Sequence, residues 1–451
     1  MNIQSYYDSD ENFRYSIINV GSGLMILCIF PNSDVLLFDC NVTEENSVNI
    51  LNYLEDIIPS RWDVDANSYS QWIDIFVNSH RDLDHIRGLK TIAEQFKIKE
   101  IWDSGQSGVT TDSKEYEYYM GLRRTLRKKY GDDAVKIPIP SLHPIYKYSN
   151  LNVNCLNSTL DFSQTETFYT SAFLKTQLEE GIIDEEKVKE QHTNSLVLSI
   201  EYNKFRMLIC GDSDWLAWKE YIVPNFKNSD LLDSDILIAS HHGSRSFFTS
   251  EDNEHIDIEE NPDSTYLDAL NYIKPHMTLI SCGDYSEYHH PNKEALVLYR
   301  SHSSHDQVYT TNNRGTFEGL AIDKNNWAVI PCMFETTNPE KFEILAKVNG
   351  NCITNGASLS KHSLIHFSLK SLEHGFLEPS NSLYIKWNVC NSSKDQDISH
   401  HEIYDNNIEE NNKPFYSKYL EYSGLHLLRC YVYNPIKRKR ATYIFKVQSN
   451  F

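Results

Sequence analysis

The chain is short of positive charge. Its 42 Lys and Arg face 63 Asp and Glu across 451 residues, a formal net charge of -21. That balance excludes the broad basic surface that wraps nucleic acid, so a polyanionic substrate would have to be held locally. Cys-x-x-Cys pairs are missing as well. The nine cysteines (Cys28, Cys40, Cys155, Cys210, Cys282, Cys332, Cys352, Cys390 and Cys430) are odd in number and scattered, which speaks for reduced, mostly buried thiols rather than a disulfide framework. No apolar run approaches the ~20 residues that span a bilayer, and no cationic stretch leads an apolar one at the N-terminus. A soluble, cytoplasmic protein without a membrane partner is expected. Tandem repeats are absent.

What is present is length enough for two or three domains and a substantial core. Short apolar runs alternating with turns predict strands over Tyr15–Val20, Leu24–Phe30, Val35–Asp39 and Ile73–Val77, with a helix over Glu44–Ile58. Gly88–Phe96 reads as a helix and Ile98–Ile101 as the next strand, a βα unit of a layered α/β core. Residues 104–190, rich in Tyr, Glu and Lys, read as an insertion carrying the basic run Arg123–Lys129. On a helix those charges spread over more than half the circumference, so two readings stay open: a solvated face, or phosphate contacts from Arg123, Arg124 and Lys128. Strands return at Ser195–Glu201 and Phe205–Cys210, as a hairpin, and at Ile236–Ala239 and Met277–Ser281. A break at 333–342 separates a domain over 1–335 from a helix-poor, strand-like one over 340–451, expected to be an all-β sandwich. Within it, the polar stretch Asn391–Asn412 reads as a loop.

Metal-assisted hydrolysis needs neutral imidazoles and carboxylates converging on one point, with a coordination position left open. Directly after the strand Ile73–Val77 comes His80-Arg81-Asp82-Leu83-Asp84-His85. Its alternation puts His80, Asp82 and Asp84 on one side of an extended turn, with His85 following. Later strands also end in such groups: Gly211-Asp212, then His241-His242-Gly243, then His289-His290-Pro291 beyond Cys282-Gly283-Asp284. The candidate ligands are therefore His80, Asp82, Asp84, His85, Asp212, His241 and His290. Which of His241/His242 and His289/His290 ligate is open, and His290 is preferred to His192.

The ordered series Gly21-Ser22-Gly23, Val35–Asp39, Ser79–Gly88, Asn194–Leu198, Leu208–Asp212 and Ser240–Ser244 resembles the metallo-β-lactamase-fold hydrolases. It is most similar to their ComEC-like branch, which includes the cytoplasmic nuclease-like domain of bacterial DNA-uptake proteins. That branch has a later Ser-x-Gly and His-Pro, similar to Ser281-Cys282-Gly283 and His290-Pro291. The resemblance implies an α/β, four-layer αββα fold. It also implies Asp84, His85 and Asp212 as catalytic groups, with Asp84 handling the proton, and His242 and Asn194 as substrate contacts. Two departures from the broad superfamily are Asp82 at the second histidine position and Asn194 near the place of a further histidine. Both exchange nitrogen for oxygen, which moves preference from Zn²⁺ toward a harder ion. The expected cofactor is a divalent metal, Mn or Zn.

Pro379–Asn391 and Tyr422–Val432 resemble the C-terminal sensor domain that accompanies nucleotide-cyclase-type enzymes in bacterial anti-phage systems. Trp387 and Arg429 are its candidate regulatory-ligand contacts. A core position for Trp387 and an edge-strand charge cluster for Arg429 with Lys437–Arg440 are the bland alternatives. The function expected is a metal-dependent phosphodiesterase, a nuclease effector of anti-phage defence controlled by this domain, with a nucleic acid or nucleotide substrate and a cyclic-nucleotide activator. Its rivals are a cyclic-nucleotide phosphodiesterase and a non-catalytic sensor or scaffold. A homo-oligomer is allowed for.

Overall fold

A computed structural model describes residues 12–105, 113–160, 168–169, 192–283, 290–332, 342–371, 375–376, 384–391, 401–403, 414–420, 424–434 and 439–450. The protein is a mixed α/β structure with several multi-stranded sheets. Among the described residues, no helix is long and apolar enough to cross a membrane. The chain forms two compact units, Ser9–Ile50 with Ile73–Pro331, and Leu51–Trp72 with Cys332–Phe451.

Two sheets organise the first unit. One runs Phe168–Tyr169, Val135–Pro138, Lys97–Asp103, Ser68–Asn78, Val35–Phe38, Ile26–Ile29, Phe13–Ile17, Thr316–Asp323 and Asn326–Cys332. The other runs Val308–Thr310, Met277–Ile280, Ile236–Ile238, Phe205–Ile209, Val197–Tyr202, Leu151–Asn157 and Tyr146–Tyr148. Alternate residues along these strands meet in one shared core. Leu36, Phe38, Ile75 and Val77 come from the first sheet, and Leu198, Ile200, Met207 and Ile209 from the second. The opposite face of the second sheet, with Val197, Leu208 and Leu237, packs on Trp218, Phe226, Phe247, Leu270 and Tyr299. Each such aliphatic side chain contributes roughly 1.5–3 kcal/mol on burial, a reserve against which the polar groups described below can be buried.

Parallel pairing matters most for the site. Val35–Phe38 runs parallel to Ile75–Val77, and Phe205–Ile209, Ile236–Ile238, Met277–Ile280 and Val308–Thr310 run parallel in series. Parallel neighbours present their carboxyl ends along one edge, where loops from different strands can meet. The predicted hairpin is present as Val197–Tyr202 paired antiparallel with Phe205–Ile209. The expected insertion over 104–190 is only partly one. Val135–Pro138 pairs with Lys97–Asp103, Leu151–Asn157 pairs with Val197–Tyr202, and Leu151, Val153 and Cys155 lie in the shared core. Their period-2 apolar pattern is a strand signal outweighed in the sequence by the surrounding polar composition.

In the second unit, two further five-stranded sheets contribute to one core: Phe342, Ile365, Phe367 and Leu369 from one, and Ile385, Trp387, Leu428, Cys430, Val432 and Phe445 from the other. The predicted linker at 333–342, apart from Phe342, which begins the strand Phe342–Val348, and most of the polar loop at 391–412 fall outside the described residues.

Candidate metal centre

The site is assembled where the carboxyl ends of both sheets' parallel strands meet. Asp39 follows Val35–Phe38 and receives the Ser79 amide at 2.7 Å and the Ser79 hydroxyl at 2.5 Å. The Ser79 carbonyl accepts from Leu196 N across to the second sheet at 2.9 Å. Gly211 makes this closeness possible. Its φ is +52°, and a Cβ there would lie 2.6 Å from Ser195 Oγ and 2.9 Å from Ser79 Cβ, so only glycine fits. Asp212 comes next and donates its amide to Ser195 Oγ at 3.0 Å. His241 and His242 have φ of 47° and 55°, left-handed values that cost a non-glycine residue of order 1–3 kcal/mol. The turn is held there because His241 N donates to Gly211 O at 3.0 Å and Ser240 Oγ donates to Ser213 O at 2.6 Å.

Asp212 is the centre. Its Oδ2 lies 3.2 Å from His85 Nε2, 3.7 Å from His80 Nε2, 3.7 Å from His241 Nε2 and 3.8 Å from His242 Nε2. On one side, Asp84 Oδ2 is 3.5 Å from His242 Nε2 and 3.8 Å from His85 Nε2. On the other, Asp82 Oδ2 is 3.5 Å from His80 Nε2 and 3.7 Å from His192 Nε2. Donor atoms close enough to share an ion fall into the triplets Asp84/His85/His242, His80/Asp82/His192, His80/His85/Asp212 and His192/Asp212/His241.

Each imidazole points Nε2 inward while another group occupies Nδ1. His85 Nδ1 meets Asp39 Oδ2 at 2.7 Å, His80 Nδ1 meets Ser79 Oγ at 3.0 Å, His241 Nδ1 meets Ser246 Oγ at 2.8 Å, and His242 Nδ1 donates to the Ser281 carbonyl at 3.1 Å. Such outer partners fix tautomer and ring orientation for metal binding. Inside the cluster, the buried atoms His80 Nε2, His85 Nε2, His242 Nε2 and Asp212 Oδ1 have no hydrogen-bond partner. Buried polar atoms are rarely left that way, and an ion at their focus would satisfy them.

Charge is balanced against burial. Burial alone would depress His85, but Asp212, Asp39 and Asp84 around it raise its pKa well above the ordinary imidazole value. Burial would likewise raise Asp212, and the surrounding His85, His241, His242 and His80 hold it well below the usual carboxylate range. Asp84 is lowered against its own burial by His85 and His242, and Asp82, also against burial, by the close approach of His192 and His80. His192 is pushed up to about 10: burial opposes this, and contacts with Asp82 and Glu251 prevail. His241 falls to about 3 and His290 to about 4, burial being the main cause for both.

Of the residues expected from sequence, His80, Asp82, Asp84, His85, Asp212 and His241 converge, and His242 joins them through its Nε2 as a donor rather than only as a substrate contact. The preference for His290 over His192 is reversed. His192 completes two triplets, whereas the His290 ring lies 5.2 Å from that of His241 and belongs to none; His289 is outside the described residues. Asn194 is half-buried in the turn after His192 and belongs to none of the triplets. Arg123 is not a phosphate contact. It is fully buried, 3.7 Å from Asp103 and stacked over the Tyr119 ring. Arg124 and Lys128 are exposed on the same helix, Lys114–Tyr130, and make none of the contacts that build the cluster. Trp387 is 6% exposed and stacked on Tyr416 in the core of the second unit, so it offers no open face to a ligand. Arg429 lies on the strand Gly424–Asn434 opposite Asn388, and its side chain is outside the described residues.

Sequence reasoning missed Asp39, Ser79, Ser246, Ser281 and Glu251. Asp39 alone had a readable signal, a carboxylate at the end of the strand that runs parallel to the one leading into the ligand loop. Compared with known protein families and with curated proteins, the chain matches none.

Proposed function

We propose that this protein is a metal-dependent phosphodiesterase on a four-layer αββα metallo-β-lactamase arrangement, with the C-terminal unit as a β-sandwich that controls it. The observation that carries the reading is that two donor triplets with no member in common, Asp84/His85/His242 and His80/Asp82/His192, flank Asp212. A zinc- or manganese-class ion takes about four to six ligands; these eight converging donors could hold a pair of such ions. Five of those donors are imidazoles, a more nitrogen-rich set than the sequence suggested, which keeps Zn²⁺ alongside Mn²⁺.

Bound ions supply Lewis-acid polarisation of a phosphoryl group and acidify water. The chain's own groups do the rest. Asp84 is the member of its triplet most open to solvent, its side chain 35% exposed, which places it where it could take the proton of the nucleophile. Asp39 holds His85 in one tautomer. The phosphodiester class is supported by the ordered likeness to the ComEC-like branch, and the defence role by the C-terminal likeness. The burial of Arg123 and the net charge of -21 favour a second reading, a small cyclic nucleotide in place of a polymer.

The test is metal analysis of the purified chain, followed by incubation with Mn²⁺ or Zn²⁺ and plasmid DNA, RNA or cyclic dinucleotides. Cleavage that disappears in Asp84→Asn and His85→Ala supports the proposal. A chain that binds no transition metal, or cleaves none of these, refutes it.

A further inference from the structure

The two triplets are not equally well built. Asp39, Ser79, Ser246 and Ser281, which hold the Nδ1 atoms of His85, His80, His241 and His242, are all at most 1% exposed. His192 differs. Its Nδ1 faces Glu251 Oε1 at 3.5 Å, and the Glu251 side chain is 64% exposed. His192 and Asp82 are themselves only half-buried. The Asp84/His85/His242 triplet thus has both imidazoles buried and held by buried partners, while in the other triplet one imidazole, His192, leans on a surface carboxylate.

Glu251 is nonetheless delivered by a fixed backbone. Ser250 N donates to Ser264 O at 2.8 Å, Thr249 Oγ1 meets Thr265 Oγ1 at 2.8 Å, and Asn253 donates to Thr249 Oγ1 at 2.6 Å and Ser264 Oγ at 2.9 Å. Arg245, four residues past His241, donates to the carbonyls of Glu251 at 3.2 Å and Glu254 at 3.3 Å. A loop clamped at its base places the carboxylate beside His192 with little ordering left to do. The same oxygen lies 3.9 Å from His241 Nδ1, but that atom already has Ser246 at 2.8 Å, so the service to His192 is the one without a substitute.

We propose that Glu251 is the positioning residue that seats His192, and that it sets the affinity of the His80/Asp82/His192 ion position independently of the Asp84/His85/His242 position. The inference rests on the two-ion reading above. It makes the first of these the weaker, exchangeable position, tuned from the protein surface.

The experiment is titration of Zn²⁺ alone into the metal-free full chain against a competing chelator. Wild type should show a tight and a weaker event. Glu251→Ala should weaken only the weaker one, by about 10- to 100-fold, the usual cost of losing an outer partner of a ligating histidine. Glu251→Asp should recover part of the loss. His192→Ala should remove the weaker event, and adding Glu251→Ala to it should cost nothing more, because both act through one contact. If Glu251→Ala leaves both events unchanged, or weakens both equally, the inference is overturned while the two-ion reading stands. A wild-type chain that binds no ion removes both.

Discussion

His80 and Arg81 are neighbours in one loop, each about 1% exposed, yet they enter two polar clusters of opposite character. Arg81 donates to Asp103 at 2.9 and 3.2 Å and to Tyr116 at 3.2 Å; Asp103 also accepts from Tyr119 and from Gly105 N, and sits beside Arg123. Its carboxylate oxygens are committed to groups of the chain. In the His80 cluster, inward Nε2 atoms face carboxylates at 3.2 to 3.8 Å, and several have no hydrogen-bond partner. In the first cluster Arg81 and Asp103 spend their hydrogen bonds on each other and on Tyr116 and Tyr119, while in the second the imidazole Nε2 atoms point at a common centre.

The largest expected effect tests the structural cluster. Asp103→Asn leaves Arg81 and Arg123 buried without their counter-charge and should cost about 3–5 kcal/mol, read by denaturant unfolding; a loss below about 1 kcal/mol would show that the pairing is not what holds the ligand loop. The same group sets a pH dependence. Burial opposes its ionisation, but Arg81 and Arg123 hold its pKa well below the usual range. Its contribution is therefore present above the unfolded value near 4 and is lost as pH falls through the depressed one. Acidification below about pH 4 should accordingly destabilise wild type more than Asp103→Asn.

Next in size is Asp39→Asn, which weakens the clamp on His85. Metal affinity should drop about 10- to 100-fold in chelator competition, and unchanged affinity would remove His85 from the ligand set.

A smaller effect concerns protons. In the ion-free chain His85 is raised and His192 lies at about 10. Both are then protonated at neutral pH, and metal uptake should release protons, fading as pH passes the His192 value. The measurement is proton release on metal addition, compared in buffers of different ionisation enthalpy. No release at neutral pH would mean that the ion does not meet these imidazoles. Stability has the opposite sign to that of Asp103: the raised groups stabilise the ion-free fold fully below the unfolded histidine value near 6.5, and that contribution is lost as pH rises through their folded values.

The smallest effect is a null. Arg124→Ala and Lys128→Ala alter exposed side chains outside both clusters and should each change stability by no more than about 0.5 kcal/mol. A marked loss of substrate cleavage with metal binding intact would restore the phosphate-contact reading of that helix.

Legibility followed the range of the interactions. Helix Leu89–Gln95, strand Ile236–Ile238 and the hairpin around Asn203 agree with their expected places to within a few residues, because periodicity and turn residues act over neighbours. The four candidate donors of the His80–His85 loop were visible for the same reason: their spacing is local. Val135–Pro138 and Leu151–Asn157 carry a period-2 apolar signal, but the polar composition around them outweighed it.

The sequence by itself determined that apolar strands end in histidines and aspartates, and that the loop His80–His85 carries enough donors for a metal. Only the tertiary structure decided which distant groups meet it. Gly211 lets the two sheets' strand ends approach within a side chain's width, which brings Asp212, His241, His242 and His192 onto His80 and His85, while Arg123 is drawn inward by Asp103. Convergence of Nε2 and carboxylate atoms depends on distances across sheets, and residue spacing along the chain does not encode those distances singly.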